Sequence, residues 1–143
     1  MVCSILIGCM LSVNAQNPKI RKATAISNIE ELFAKAVDGD QSGIRIFMDG
    51  TVEEWDMLSQ YSIRYKLSEI DLQQAEIIRF EESDEMALLL PCKRNENCVR
   101  LTDAGNKQRF YNSLHAFTMP GDKERVLMRI EALLKELQSI LPD

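Results

Sequence analysis

Apolar and polar residues alternate through the middle of the chain in the way that β-strands require. The clearest alternation spans residues 61–67, where every second side chain is apolar. Because successive side chains of a strand point to opposite faces, this spacing predicts a strand with one buried face and one wet face. Apolar or alternating segments that predict further strands lie at residues 44–48, 75–81, 86–91, 99–102 and 109–119.

The segment at residues 51–57 fits two structures. Thr51 and Glu54 have the spacing of a helix capping box, which favours a short helix. Asp49-Gly50, however, follows an alternating segment, and this dipeptide predicts a type I′ hairpin turn. We favour a strand at residues 51–57, because the strand before the turn otherwise lacks its sequential partner.

Two segments repeat their apolar residues with the period of an α-helix. Ser27 and Glu30 form a capping box, which predicts that the first helix begins at Ser27. Its apolar face consists of Ile29, Leu32, Phe33, Ala36 and Val37. The apolar stripe of the last helix consists of Val126, Ile130, Leu133, Leu134, Leu137 and Leu141. The chain is therefore predicted to be an α+β protein, with an N-terminal helix, an antiparallel meander of six or seven strands and a long C-terminal amphipathic helix.

Composition limits the size of the fold and the class of partner. With 143 residues, 45% of them hydrophobic and 27% charged, the chain has the composition of one globular domain. Its net charge of -5 and pI near 5.0 disfavour nucleic acid as a partner, because nucleic-acid binding requires clustered cationic side chains. We expect the partner to be a protein or a small molecule.

The amino terminus resembles a signal peptide. Residues 1–12 are nearly all apolar and carry no charged side chain, and Val13 and Ala15 suit cleavage after Ala15. This apolar run is too short to span a bilayer, which needs about 20 residues. The expected organisation is a signal peptide at 1–15, a linker at 16–26 and one domain at 27–143.

A second interpretation of the amino terminus remains open. Leu6-Ile7-Gly8-Cys9 resembles a bacterial lipobox, in which the cysteine is lipidated and becomes the first residue of the mature protein. The chain would then contact a membrane only through a lipid anchor at Cys9. Both interpretations place the folded domain in the periplasm, on the cell surface or outside the cell.

The cysteine count agrees with export. Removal of Cys3 and Cys9 leaves Cys92 and Cys98, and an even pair in an oxidising compartment predicts a disulfide. Residues 86–101 would then form a strand, a charged turn and a returning strand, as a hairpin closed by the disulfide. We expect this rigid turn to be a contact surface for a ligand, through Lys93, Arg94, Asn95, Asn97 and Arg100.

Residues 38–49 resemble a calcium-binding loop, and calcium is the alternative cofactor. Asp38, Asp40 and Ser42 supply oxygen atoms at alternate positions, and Asp49 occupies the twelfth position. Two features disfavour this interpretation. Arg45 stands where such loops carry an apolar residue, and Asp49 is already needed for the predicted hairpin turn.

No group of residues has a recognisable catalytic pattern. His115 is the only histidine, and no serine or cysteine nucleophile accompanies it in such a pattern. Three carboxylates at Glu53, Glu54 and Asp56 leave an enzyme conceivable, but nothing in the sequence pairs them. We therefore predict a non-enzymatic binding or interaction domain, with no catalytic residues and no resident cofactor.

Several segments together resemble a protein family. These are the LSEID segment at residues 67–71, an apolar strand entering Cys92, a short polar turn to Cys98, an aromatic strand at 111–117 and a leucine-rich closing helix. The combination resembles small uncharacterised secreted proteins of Bacteroidetes, which are similar to pleckstrin-homology-like folds. The resemblance implies a curved sheet capped by a C-terminal helix. It assigns no site residues, because function belongs to sites rather than to folds.

Overall fold

The computed structural model describes residues 17–37 and 41–142, which form two helices and eight strands. The helices are α1 (Pro18–Ala36) and α2 (Glu124–Ile140). The strands are β1 (Ser42–Ile46), β2 (Thr51–Asp56), β3 (Tyr61–Lys66), β4 (Glu76–Phe80), β5 (Glu85–Pro91), β6 (Val99–Thr102), β7 (Gln108–Tyr111) and β8 (Ser113–Pro120). The predicted α+β class is confirmed, and the ambiguous segment after Gly50 is a strand.

The strands form two antiparallel sheets rather than one meander of six or seven. The first sheet has five strands in the order β1-β2-β3-β6-β7, and the second has three in the order β4-β5-β8. The segment predicted as one long final strand is divided at Asn112, so that β7 belongs to the first sheet and β8 to the second. The chain thus passes between the sheets after β3, after β5 and at Asn112.

The predicted hairpin between β5 and β6 is wrong. β5 pairs with β4 on one side and with β8 on the other, so neither of its edges is available to β6. Cys92 and Cys98 do form the predicted disulfide, with Cα atoms 5.8 Å apart. Because Cys92 follows β5 and Cys98 precedes β6, this disulfide closes the connection between the two sheets.

The first helix begins at Pro18, nine residues before the predicted start at Ser27. The side chain of Asn17 accepts a hydrogen bond from the N–H of Ile20 at 3.2 Å, and proline is favoured in the first turn of a helix. Glu30 does not form a capping box. Its carboxylate instead accepts the N–H of Ile46 at 3.1 Å, which joins α1 to the edge strand β1.

The β1–β2 hairpin is confirmed, but its turn is not of type I′. Gly50 has φ of +88°, whereas Asp49 is not among the residues with positive φ, as type I′ requires. The N–H of Gly50 donates to Phe47 and the N–H of Phe47 donates to Thr51, both at 2.9 Å. The result is a longer loop with glycine in the left-handed position.

The two helices cover one part of the double-sheet structure. The predicted apolar faces of both helices are buried or partly buried, and Leu127 joins them in the core. α2 packs against α1 and β5, and α1 packs against β1 and β8. The Gln138 amide also donates to the carbonyls of Leu67 and Ile70, at 2.7 and 2.8 Å, which ties α2 to the segment after β3.

The signal peptide predicted at residues 1–15 and the lipidation site predicted at Cys9 lie outside the described residues, as does the first residue of the linker predicted at 16–26. The rest of that segment is described, and residues 18–26 are the first nine residues of α1. In the part of the chain that the structure covers, neither helix combines the length and the apolar character needed to cross a bilayer.

Candidate ligand-binding cleft

A cleft of about 790 Å³ opens between the two sheets, on the side that the helices leave uncovered. Its lining comes from β3, β6 and β7 of the first sheet, and from β4, β8 and the β4–β5 turn of the second. This volume is within the range of about 300–1,000 Å³ that is typical of small-molecule sites. The cleft is therefore large enough for a small organic ligand.

One wall is the inner face of the first sheet. Tyr61 and Ile63 alternate along β3, Val99 and Leu101 alternate along β6, and all four line the cleft. Ile63 lies directly opposite Leu101 in the strand register. Since residues two apart on a strand share a face, the alternation that predicted β3 also produces an apolar wall here.

The opposite wall consists of aromatic and apolar side chains from the second sheet. Phe80 at the end of β4 and His115 in β8 meet edge to face, with ring centroids 5.2 Å apart. Leu114 adds a buried aliphatic side chain beside them. His115, the only histidine of the chain, is exposed, and its ring borders the cleft.

The rim of the cleft is acidic. Glu81 and Glu82 lie in the turn between β4 and β5, Glu85 begins β5, and all three contribute to the lining. Arg79 is the cationic side chain of the lining, and its guanidinium donates to the Gly121 carbonyl at 2.9 Å. The apolar interior with a few polar groups at its edge is the usual composition of a ligand site.

Glu54 is a buried carboxyl group on the same face of the first sheet as Ile63, which lines the cleft. Its two oxygens accept hydrogen bonds from the Tyr65 hydroxyl at 3.0 Å and from the Phe117 N–H at 2.9 Å. Burial removes water from the carboxylate and raises the pKa of Glu54 to about 7, although the hydrogen bonds from Phe117 and Tyr65 oppose the increase. Glu54 therefore changes charge near neutral pH.

The pKa values of two tyrosines near Glu54 are also raised. Burial raises the pKa of Tyr65 well above its ordinary value, and the neighbouring Glu54 carboxylate raises it further. The pKa of Tyr61 is raised by burial and by the negative charges of Asp56, Glu54 and Glu85. Both phenols thus stay protonated around neutral pH, and the Tyr65 hydroxyl donates to Glu54.

The contact between Glu54 and Phe117 joins the two sheets. Phe117 has φ of +56°, a left-handed conformation that is uncommon for a bulky residue, and it lies at an irregularity in the β5–β8 pairing. There the Phe117 N–H reaches Glu54 in β2 rather than a strand partner. The ring of Phe117 packs edge to face on Phe33 of α1, with centroids 5.8 Å apart.

A small cavity of about 30 Å³ lies beside Glu54. It shares Tyr61, Ile63, His115 and Thr118 with the larger cleft. Glu54 lines this small cavity but does not line the larger cleft.

The contact surface predicted from sequence does not line this cleft. Lys93, Arg94, Asn95 and Asn97 occupy the short connection after Cys92, which includes a 3-10 turn at Lys93–Asn95. The amide of Asn112 donates to the Asn95 side chain at 2.7 Å, which anchors this connection to the β7–β8 junction. Arg100 lies on the outer face of β6, opposite Arg64 and Phe110.

The residues predicted to bind calcium are only partly described. Asp38 and Asp40 lie outside the described residues, while Ser42 begins β1 and Asp49 lies in the turn beyond its far end. A strand rises about 3.3 Å per residue, so Ser42 and Asp49 cannot bind one ion together. The Asp49 carboxylate accepts the Thr51 N–H at 2.9 Å, and this bond lowers the pKa of Asp49.

Metal-binding geometry is not found elsewhere in residues 17–37 and 41–142: these segments contain no group of three or more histidine, cysteine, aspartate or glutamate side chains that is suited to an ion. Of the four residues predicted to bind calcium, the two that are described, Ser42 and Asp49, are separated by β1.

Sequence reasoning missed the cleft and the role of Glu54. The alternation in β3 marked Tyr61 and Ile63 as inward-facing, but it did not show that this part of the sheet lacks a helix above it. The sequence indicates Glu54 as a capping-box partner of Thr51 and as one of three neighbouring carboxylates, but not as a buried group. Its inward position follows from the register of β2 with β3, which places it directly opposite Ile63.

Comparison with known proteins finds no match: no family model, no curated protein and no solved structure is similar to this chain. The expected likeness to secreted Bacteroidetes proteins and to pleckstrin-homology-like folds stays a prediction.

Proposed function

We propose that this protein is a non-enzymatic binding domain, and that a small, largely apolar ligand occupies the cleft between its two sheets. The observation that carries the proposal is the uncovered inner face of the first sheet, where Tyr61, Ile63 and Leu101 border a cleft of about 790 Å³. Apolar side chains that line a concave site of this size favour ligand binding. The acidic rim and the tyrosine hydroxyl add polar groups that can orient the ligand.

Export of the domain belongs to the same proposal. The disulfide between Cys92 and Cys98 is compatible with an oxidising compartment such as the periplasm or the cell exterior. A small binding domain in that location would meet ligands outside the cytoplasm.

A titration with N-phenyl-1-naphthylamine, an uncharged dye whose fluorescence increases in apolar sites, tests the cleft. We expect saturable binding at one site per chain. Leu101→Thr should weaken binding because it removes apolar wall area while it keeps a β-branched residue in the strand. Ser113→Trp should also weaken binding, because an indole placed in the lining fills part of the cleft.

The control is Met48→Ser, which removes an exposed apolar side chain at the β1–β2 turn, away from the cleft. We expect it to leave dye binding unchanged. Absence of saturable binding, or equal affinities in the wild type and both cleft variants, would show that the cleft is not a ligand site.

A further inference from the structure

The outer face of the first sheet carries a row of charged side chains that the sequence does not show. In the strand register Arg45 lies opposite Glu53, Glu53 opposite Arg64, Arg64 opposite Arg100, and Arg100 opposite Phe110. Directly opposed residues of neighbouring strands share one face of the sheet. These five side chains therefore form one line across all five strands, on the face opposite to the cleft.

The pairing of Arg64 with Arg100 is unfavourable by itself, because like charges directly opposite each other destabilise a sheet. Arg64 has a partner: its Nη1 lies 2.8 Å from Oε1 of Glu53. Within the described residues, the ion pairs shorter than 4.0 Å include neither Arg100 nor Lys66, which lies two residues after Arg64 on the same face. Positive charge therefore accumulates at this position of the outer face.

A hollow of about 210 Å³ lies at the same position, and we call it the outer hollow. Its lining includes Arg64, Lys66, Arg100 and Phe110, with Glu69 as the acidic member. Phe110 is 57% exposed, so a large aromatic face borders the cationic groups. Cys98 also contributes to the lining, and its disulfide fixes the start of β6 two residues before Arg100.

We propose that the outer hollow binds a small oxyanion carried on a flat apolar ring. The guanidinium groups of Arg64 and Arg100 donate to the oxyanion, Lys66 adds a third positive charge, and the ring rests on Phe110. Arginine presents its N–H groups in a planar fork that matches the oxygens of a carboxylate or a phosphate. An aromatic side chain supplies the apolar face that a ring stacks on.

Charge and size favour a small ligand over a polymer. The chain has a net charge of -5, so a long polyanion would be repelled by the rest of the surface, whereas a small anion meets mainly the local positive field. The volume of the hollow also suits one anionic group and one ring better than a larger molecule. This site is separate from the cleft, since the two lie on opposite faces of the first sheet.

Calorimetric titration with phenyl phosphate tests the proposal. Inorganic phosphate and phenol are the controls, because each contains only one of the two groups of phenyl phosphate. We expect phenyl phosphate to bind more tightly than either half, because only it contacts both the arginines and Phe110. Added salt should weaken binding, because the contacts are exposed charges. Benzoate in a parallel titration shows whether the arginines prefer a planar or a tetrahedral oxyanion, and tighter binding of either supports the proposal.

Three variants show whether phenyl phosphate binds at the outer hollow or only responds to the net charge of the protein. Arg100→Gln should lower the affinity for phenyl phosphate about tenfold or more, since charge-assisted hydrogen bonds are strong. Arg129→Gln removes one charge from the exposed surface of α2 and should leave the affinity unchanged. Phe110→Thr should remove the preference for phenyl phosphate over inorganic phosphate while phosphate itself still binds. All three positions face solvent or line the hollow, and melting temperatures show whether each variant is folded.

Three results would overturn the proposal. The first is the absence of saturable phenyl phosphate binding at millimolar concentration. The second is equal weakening by Arg100→Gln and Arg129→Gln, which would assign binding to net charge. The third is an unchanged preference for phenyl phosphate in Phe110→Thr.

Discussion

Glu54 is a buried residue of the first sheet that is hydrogen-bonded to both sheets. Its carboxyl group accepts one hydrogen bond from Tyr65 in the first sheet and one from Phe117 in the second. A carboxylate buried with two neutral donors and no cation is costly, and the cost appears as the increase in its pKa to about 7. The folded protein therefore keeps Glu54 protonated to a higher pH than the unfolded chain does.

This preference predicts that folding stability depends on pH. The folded pKa of about 7 is higher than the ordinary value of 4.5, so the folded state holds the proton between these two pH values while the unfolded state releases it. The stabilisation by protonated Glu54 is complete below pH 4.5 and is lost as the pH rises through 7. The difference of about 2.5 pKa units corresponds to about 3 kcal/mol of unfolding free energy.

Urea denaturation at pH 5 and pH 8 measures this dependence. Glu54→Gln keeps an amide oxygen as acceptor but carries no charge. The free energy of unfolding of this variant should therefore not fall between pH 5 and pH 8 in the way that we expect for the wild type. Glu76→Gln, at an exposed position of β4, should follow the wild type. A wild type whose stability falls between pH 5 and pH 8 no more than that of Glu54→Gln would refute the role of Glu54.

At the scale of residues, neither the buried position of Glu54 nor the backbone conformation of Phe117 could be predicted from the sequence. Whether a carboxylate is inward or outward depends on the strand register, and Glu53 and Glu54 differ by one position yet face opposite sides of β2. The unusual backbone of Phe117 depends on an irregular pairing with β5, which no local pattern marks.

At the scale of elements, the disulfide holds the connection between the sheets rather than the tip of a hairpin. Cys92 follows β5 and Cys98 precedes β6, with a separation of six residues. Closing so short a loop restricts the unfolded chain and contributes roughly 2 kcal/mol in the chain-entropy model.

We therefore expect reduction of the disulfide to lower the free energy of unfolding by roughly 2 kcal/mol and to leave the fold intact. The measurement is urea denaturation of the wild type with and without reductant, with the double variant Cys92→Ala and Cys98→Ala as a control that should not respond to reductant. Loss of the far-ultraviolet circular dichroism of the folded protein on reduction would instead mean that the disulfide is required for folding.

Most elements could be predicted from the sequence, because their patterns are local. The alternation in β3 and the apolar stripe of α2 each identify an element and its buried face. The predicted start of α1 was wrong because the residues before Ser27 lack a clear apolar stripe, although they belong to a helix that begins at Pro18 with Asn17 as its N-cap. The β5–β6 pairing was wrong because sequence proximity favours a hairpin, whereas β4 and β8 occupy both edges of β5.

At the scale of the whole molecule, the division into two sheets creates the cleft. A single meander would bury one face under the helices and leave no second wall. Two sheets joined through Asn112 and the disulfide connection place Phe80 and His115 opposite Ile63 and Leu101. Neither the cleft nor the outer hollow could be predicted, because each joins residues that are distant in the chain and close only in the folded structure.

The most direct test of the central claim is a heteronuclear NMR titration of the isotope-labelled protein with N-phenyl-1-naphthylamine. We predict that amide shifts concentrate at the cleft residues Tyr61, Ile63, Leu101, Leu114 and His115. The exposed apolar turn at Met57 and Leu58 and the connection at Lys93–Asn95 should not respond. Shifts centred on that turn or on that connection, with the cleft unaffected, would contradict the account.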